Sequence, residues 1–400
     1  MPPWLAGRGR EYEEFDQLLE QDTILKNVVL TGLRGVGKTV LLETFKPRAV
    51  EKGWFWATAD LSESASITEV ALAQRLLADL ALITSSISVK VDVQGVGFAA
   101  TPAAEEVPLS HSILTSVYEG TPGLVSDKIK ATLEFAWDHL RTHDKQKVIF
   151  AYDEAQNLSD HASKEQFPLS VLLDVFQSIQ KKGIPFMLVL AGLPTLFPKL
   201  VDARTYAERM FRVVTLNKLN SDDSREAILK PIEVADCPIK FSDNSVEVII
   251  YESGGYPYLI QFICREVFDV FIQQNERGEL GTVPIEAIQQ KLDADFFAGR
   301  WARITDRQKE LLLVVAHLNE PDEEFTIQEL VEKSKEMLPK SFSSSHANQM
   351  LASLAERGMI YKNRVGKYSF AVPLLGRFIR RIDEQRSPEA IAGSPTQTLF

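Results

Sequence analysis

Five short runs of apolar residues stand at intervals along the first 220 positions: NVVLT at 27–31, WFWATAD at 54–60, KVIFAYDE at 147–154, PFMLVLAGL at 185–193 and FRVVTLNKL at 211–219. Runs of this length, nearly continuous in apolar side chains, read as strands buried on both faces. Between them the apolar spacing lengthens to three and four, as in ITEVALAQRLLADLAL at 67–82, LSVLLDVFQSIQKKG at 169–183 and LFPKLVDARTYAERM at 196–210. That is the period of a helix with one buried face. Strands alternating with helices predict an α/β core with a five-stranded parallel sheet covered on both sides.

The stretch 85–123 breaks this rhythm. Val89, Val91 and Val93 alternate with polar neighbours ahead of Gly95 and Gly97, a hairpin signal in otherwise loop-like sequence, and the stretch reads as an insertion. After Leu219 the strand-like runs stop. FSDNSVEVIIYES at 241–253 and YPYLIQFICREVFDVFIQQ at 256–274 have helical spacing, which predicts an all-helical domain over 220–299. Over 300–384 three helical patterns, ITDRQKELLLVVAHL, FTIQELVEKS and SSSHANQMLASLAERGM, precede two β-type runs about Gly366, the order of a winged helix. The polar, aperiodic tail at 385–400 is expected to be disordered. The sheet and its helices thus occupy 1–219.

Composition changes this picture little. With 400 residues, 45% hydrophobic and 25% charged, the chain has ordinary globular proportions and length for two or three domains. Its two cysteines, Cys237 and Cys264, lie in apolar contexts away from any Cys/His cluster, so neither a disulfide framework nor a zinc site is indicated. No charged and apolar leader opens the chain and no apolar run is long enough to span a bilayer, so a soluble, cytoplasmic protein with no membrane partner is expected. The net charge of -11 argues against general DNA coating but not against a local basic patch.

The chemistry begins where the first run ends. Gly32, Leu33, Arg34, Gly35, Val36, Gly37, Lys38 and Thr39 spell G-x-x-x-x-G-K-[ST] between a strand and a helix, with Val40 next in line. Glycines let the backbone wrap a phosphate with N–H groups and the helix N-terminus aimed at it. Lys38 adds a cation near the β- and γ-phosphates of ATP, and Thr39 offers a hydroxyl to Mg²⁺. The run KVIFAYDE ends on two adjacent carboxylates, which repel and are costly to desolvate without a cation or a reaction to serve. Asp153 is the candidate second Mg²⁺ ligand, direct or through water, and Glu154 the candidate base for water attacking the γ-phosphate.

Lys38 and Asp153 are 115 residues apart, long for such a core, and the 85–123 insertion accounts for the excess. With WFWATAD between them and the Asp-Glu pair, the chain resembles the AAA+ and STAND classes of P-loop ATPase. Leu5-Ala6-Gly7-Arg8 followed by Glu11 is similar to the N-terminal box of the origin-recognition-like branch. The resemblance implies that Gly7 and Arg8 line the adenine pocket and that the helical domain is a lid. It further implies that Pro257, in Gly255-Tyr256-Pro257, leans on the nucleotide, against the alternative of a proline in a helix's first turn. Arg209, in ERMFRVV, resembles an arginine finger that reaches the γ-phosphate of a neighbouring subunit, implying a nucleotide-dependent homo-oligomer. Arg204 and Arg212 are rival candidates, and a plain surface arginine is the alternative.

Two departures accompany the resemblance. AGLPTL lacks the Asn or Ser of a first sensor, with Thr195 the nearest polar residue, and YPYLIQF offers no second-sensor arginine; slow switching is the expectation. Residues 300–384 hold 14 Lys/Arg and 12 Asp/Glu, and Lys362, Arg364 and Lys367 cluster in the wing. The recognition helix carries His346, Asn348 and Gln349 but a single cation, Arg357. Its partner is therefore DNA, as in replication, transposition or mobile-element defence, or a protein, as in a signalling switch.

Overall fold

The computed structural model describes residues 4–62, 64–93, 103–142, 147–237, 240–276, 283–318, 324–364 and 366–386. They form two compact units, one of Arg8–Gly32 and Gly37–Leu216, the other the described residues of Pro2–Gly7, Leu33–Val36 and Asn217–Phe400. Among the described residues no helix is long and apolar enough to cross a membrane.

The first unit is built on strands β1 (Asn27–Thr31), β2 (Trp54–Asp60), β5 (Lys147–Asp153), β6 (Phe186–Gly192) and β7 (Phe211–Thr215), with β3 (Ser88–Val93) and β4 (Ala103–Pro108) apart from them. The five-stranded sheet has the order β2-β5-β6-β1-β7 and every pair is parallel. Burial follows position. The central strands β1 and β6 are buried at every residue and β5 from Val148 on, whereas the edge strands β2 and β7 are only partly covered. This matches the near-continuous apolar runs that parallel sheets require.

The register decides what meets at the carboxyl edge of the sheet. Thr31 stands opposite Gly192, Tyr152 opposite Leu190 and Asp153 opposite Asp60, so β1, β5 and β6 end at nearly the same level. Open parallel sheets bind ligands beyond these ends, where the strand order reverses. Beneath β5, Tyr152 donates to Asp79 Oδ2 at 2.8 Å, and Arg75 donates to the same carboxylate, which is fully buried. Burial and then the Asp79 charge push the Tyr152 phenol well above its ordinary range, so the hydroxyl keeps its proton and the bond holds helix Glu69–Thr84 to the strand.

The hairpin expected near Val89–Val93 is present as the antiparallel pair β3 and β4, with Gly95 and Gly97 outside the described residues. Within 85–123 the described residues also include a helix, and a second helix follows the stretch. Helix His111–Gly120 buries Leu114 and Tyr118, one turn apart, and helix Val125–Leu140 adds Ile129, Leu133, Ala136 and Leu140 to the core.

In the second unit, helices Ser221–Val234, Asp243–Ser253, Pro257–Glu276 and Ile285–Leu292 follow one another, then a π-helical turn Asp293–Ala298. Helices Asp306–Ala316, Ile327–Met337 and Ser344–Glu356 come next. A small antiparallel sheet β8-β10-β9 follows, with β8 (Phe325–Thr326), β9 (Ile360–Arg364) and β10 (Lys367–Phe370), consistent with a winged helix. Helix Leu375–Arg386 carries two residues of the expected tail, and the remainder lies outside the described residues.

Candidate active site

The loop after β1 has the backbone its glycines allow. Gly35 and Gly37 take φ of +78° and +93°, in the left-handed region that favours glycine, and Gly37 opens helix Lys38–Glu51 without a side-chain cap. The first N–H groups of this 14-residue helix have no intrahelical partner and point out of its start. Lys38 follows at once and donates from Nζ to Gly32 O at 2.9 Å, folded back over the loop. One residue on, Thr39 donates from Oγ1 to Asp153 Oδ2 at 2.5 Å. Two groups 114 positions apart therefore sit within one ligand shell of each other, although Asp153 is buried.

The other oxygen, Asp153 Oδ1, accepts the Glu154 N–H at 2.7 Å. That bond accompanies a sharp turn: Glu154 has φ +51°, uncommon for a residue with a side chain and a mark of a functional position when the surroundings hold it there. The turn sends the two carboxylates apart, Asp153 inward to Thr39 and Glu154 outward to solvent. The donor set of hydroxyl and carboxylate is oxygen only, which suits Mg²⁺.

The remaining residues fall into place unevenly. Arg8 is buried and pairs with Glu11 at 3.6 Å, while Gly7, in the second unit, has Asp223 where any β-carbon would sit. In that unit Pro257 opens its helix, and the next residue, Tyr258, donates its N–H to Gly35 O at 3.1 Å. Arg34 faces Arg300, whose guanidinium is held below its ordinary value by burial and by the Arg34 charge. Arg300 had no signal in the sequence. Leu33 and Val36 complete the loop, Val36 buried, and Val40 lies in the first helical turn.

The three candidate arginines differ in their surroundings. Arg204 grips Asp174 through two bonds of 2.9 and 2.7 Å and also donates to Ser170; Arg212 is paired with Glu14 at 3.1 Å. Arg209 is exposed, and its guanidinium pairs with no carboxylate among the described residues.

Comparison with known proteins agrees with this geometry. The AAA ATPase domain family matches residues 5–201, and a domain of unknown function, DUF8462, matches 294–379. A search of curated proteins finds no significant match. Among solved structures, the chain is similar to a Walker-type ATPase of Pyrococcus abyssi, with 16% identity, TM-score 0.57 and coverage of 94% of this chain and 96% of that one. It is also similar to the Aeropyrum pernix ORC2 protein in its ADP form, with 15% identity, TM-score 0.53 and coverage of 98% and 97%. At such identities these likenesses speak for the fold alone. The loop, the Thr39–Asp153 bond and the parallel sheet up to β6 all lie within the matched span, and residues 5–201 are an AAA ATPase domain.

Proposed function

We propose that the chain is an ATP-binding and ATP-hydrolysing switch, with a core over 1–219, a lid over 220–299 and a DNA-binding winged helix over 300–384. The observation that carries the hydrolytic reading is the Thr39 hydroxyl on the Asp153 carboxylate, with Glu154 turned outward beside it. In this reading Lys38 and the loop N–H groups bind the phosphates, Thr39 and Asp153 hold Mg²⁺, and Glu154 accepts the proton of the attacking water. The ion, when bound, neutralises charge on the phosphate oxygens.

Arg209 is the arginine left to act on a second copy of the chain. Turnover per subunit is expected to rise with protein concentration and Arg209→Ala to remove that rise while sparing ATP affinity. Mixing Arg209→Ala with Glu154→Gln chains should restore turnover at interfaces that join an intact Glu154 site to an intact Arg209. Mixed oligomers as inactive as their components would exclude the trans role.

The DNA reading rests on the wing. Lys362 is exposed on β9 and Lys367 follows on β10, with Arg364 between them in sequence. In the full chain, neutralising Lys362, Arg364 and Lys367 together should flatten the plot of log affinity against log salt by about 0.9 for each duplex phosphate that is no longer neutralised. One observation favours the alternative of a signalling switch that binds protein. Helix Ser344–Glu356 exposes His346, Asn348 and Gln349, while Arg357 at its end donates to Arg303 O at 2.6 Å. A salt slope unchanged by the triple substitution would select that alternative.

A further inference from the structure

The sequence after Glu154 continues Ala155-Gln156, and Gln156 joins three parts of the first unit. Its Nε2 donates to Glu154 Oε2, a bond no other side chain makes with Glu154 among the described residues. Its Oε1 accepts the N–H of Leu193, the residue just past β6, at 3.1 Å. Its backbone carbonyl accepts Lys199 Nζ at 2.7 Å, and the same ammonium donates to Ser159 Oγ at 3.0 Å. Lys199 is held below its ordinary value by burial, and no carboxylate pairs with it among the described residues. Gln156 is thus fixed by its backbone and by its side-chain oxygen, leaving its N–H₂ aimed at the glutamate.

Space for this arrangement depends on Gly192. A β-carbon there would lie 2.7 Å from Gln156 Oε1, so the amide occupies the room a side chain would take at the end of β6. Gly192 is also opposite Thr31, immediately before the phosphate loop. The segment AGLPTL offers no side-chain amide to Glu154; it supplies a backbone N–H, and Gln156 provides the amide across the gap.

We propose that Gln156 is a positioning residue for ATP hydrolysis: it orients the Glu154 carboxylate toward the attacking water and ties that orientation to the end of β6. The inference rests on the reading of Glu154 as the base. An exposed glutamate with one tether loses its orientation when the tether goes, since each χ angle it regains spreads the carboxylate over several rotamers. Among the described residues the hydrogen bonds of the Gln156 side chain run to Glu154 and Leu193 and not to the phosphate loop, so the loss is expected to fall on turnover.

The test measures kcat, KM and equilibrium ATP affinity in the full chain for Gln156→Ala, Gln156→Glu and Glu154→Gln, and for Gln156→Ala combined with Glu154→Gln. Gln156→Glu is the informative variant, because it keeps an acceptor for the Leu193 N–H and abolishes donation to Glu154. Both single variants at 156 are expected to lower kcat by about 10-fold to 100-fold, the scale of a misplaced reacting group, with ATP affinity close to that of the wild type. In the Glu154→Gln background, Gln156→Ala should add no further loss. A Gln156→Glu chain with wild-type kcat, or losses that multiply in the double variant, would overturn the proposal. A purely structural role predicts lower thermal stability with kcat of the folded protein intact. If Glu154→Gln itself turns over like the wild type, the base assignment fails; if it is inactive while both variants at 156 are active, only the role of Gln156 fails.

Discussion

Replacing Lys38 by alanine is expected to abolish measurable ATP binding. The ammonium lies at the start of helix Lys38–Glu51 and donates to a loop carbonyl, Gly32 O, which a phosphate oxygen would outcompete on charge. Charge-assisted hydrogen bonds are worth about 1.5–3 kcal/mol each, so two of them to phosphate oxygens correspond to roughly 100-fold or more in affinity. Alanine is the best helix former and Lys38 is the first residue of its helix, so the fold should tolerate the change. An equilibrium titration with Mg²⁺ present decides it: affinity equal to that of the wild type would remove the phosphate role from the loop.

The sheet was legible because its strands are parallel and buried on both faces. NVVLT, KVIFAYD and FMLVLAG read as apolar runs for the same reason that β1, β5 and β6 lie at the centre. Their order was not legible. Nothing local in NVVLT says that it lies between β6 and β7, which are drawn from more than 150 positions downstream. The helix His111–Gly120 was obscured for a different reason. Glycine, proline and serine around it give 85–123 a loop-like composition, while only Leu114 and Tyr118 mark its buried face.

The site divides in the same way. Gly32 to Thr39 and the Asp-Glu pair are contiguous motifs that residue type alone makes recognisable, and the structure brings Thr39 and Asp153 together. The arginines are not recognisable in this way. Arg204 and Arg209 share one short segment, yet Arg204 is spoken for by Asp174 thirty residues earlier and Arg209 is exposed. Gln156 was missed because an amide two positions after a glutamate has no pattern of its own; its meaning comes from Leu193 and Lys199 across the sheet edge. Arg300 is similar, since it faces Arg34 from 266 positions away in the chain. Local pattern therefore reports which residue types stand together, and tertiary pairing reports which of them another side chain already engages.

Glu154→Gln is expected to leave ATP affinity nearly unchanged and to lower turnover by about 10²-fold to 10⁴-fold, the range of general base catalysis. The argument turns on what the substitution preserves. The side chain keeps its size, its exposure and an oxygen that still accepts the Gln156 amide, and the Asp153 Oδ1 bond to the backbone N–H of residue 154 is untouched. The backbone at φ +51° is also held by that bond, so the turn should survive. What disappears is the capacity to take a proton at neutral pH, together with one negative charge beside Asp153. Removing that charge relieves repulsion between the two carboxylates, so Mg²⁺ and nucleotide should bind at least as well as before. Nucleotide titration and single-turnover phosphate release on the same preparation separate the two quantities. Turnover within about threefold of the wild type, well short of the range expected for a general base, would mean that the exposed carboxylate is a bystander and that water is activated elsewhere. A parallel loss of affinity and turnover would instead place Glu154 in the binding of nucleotide.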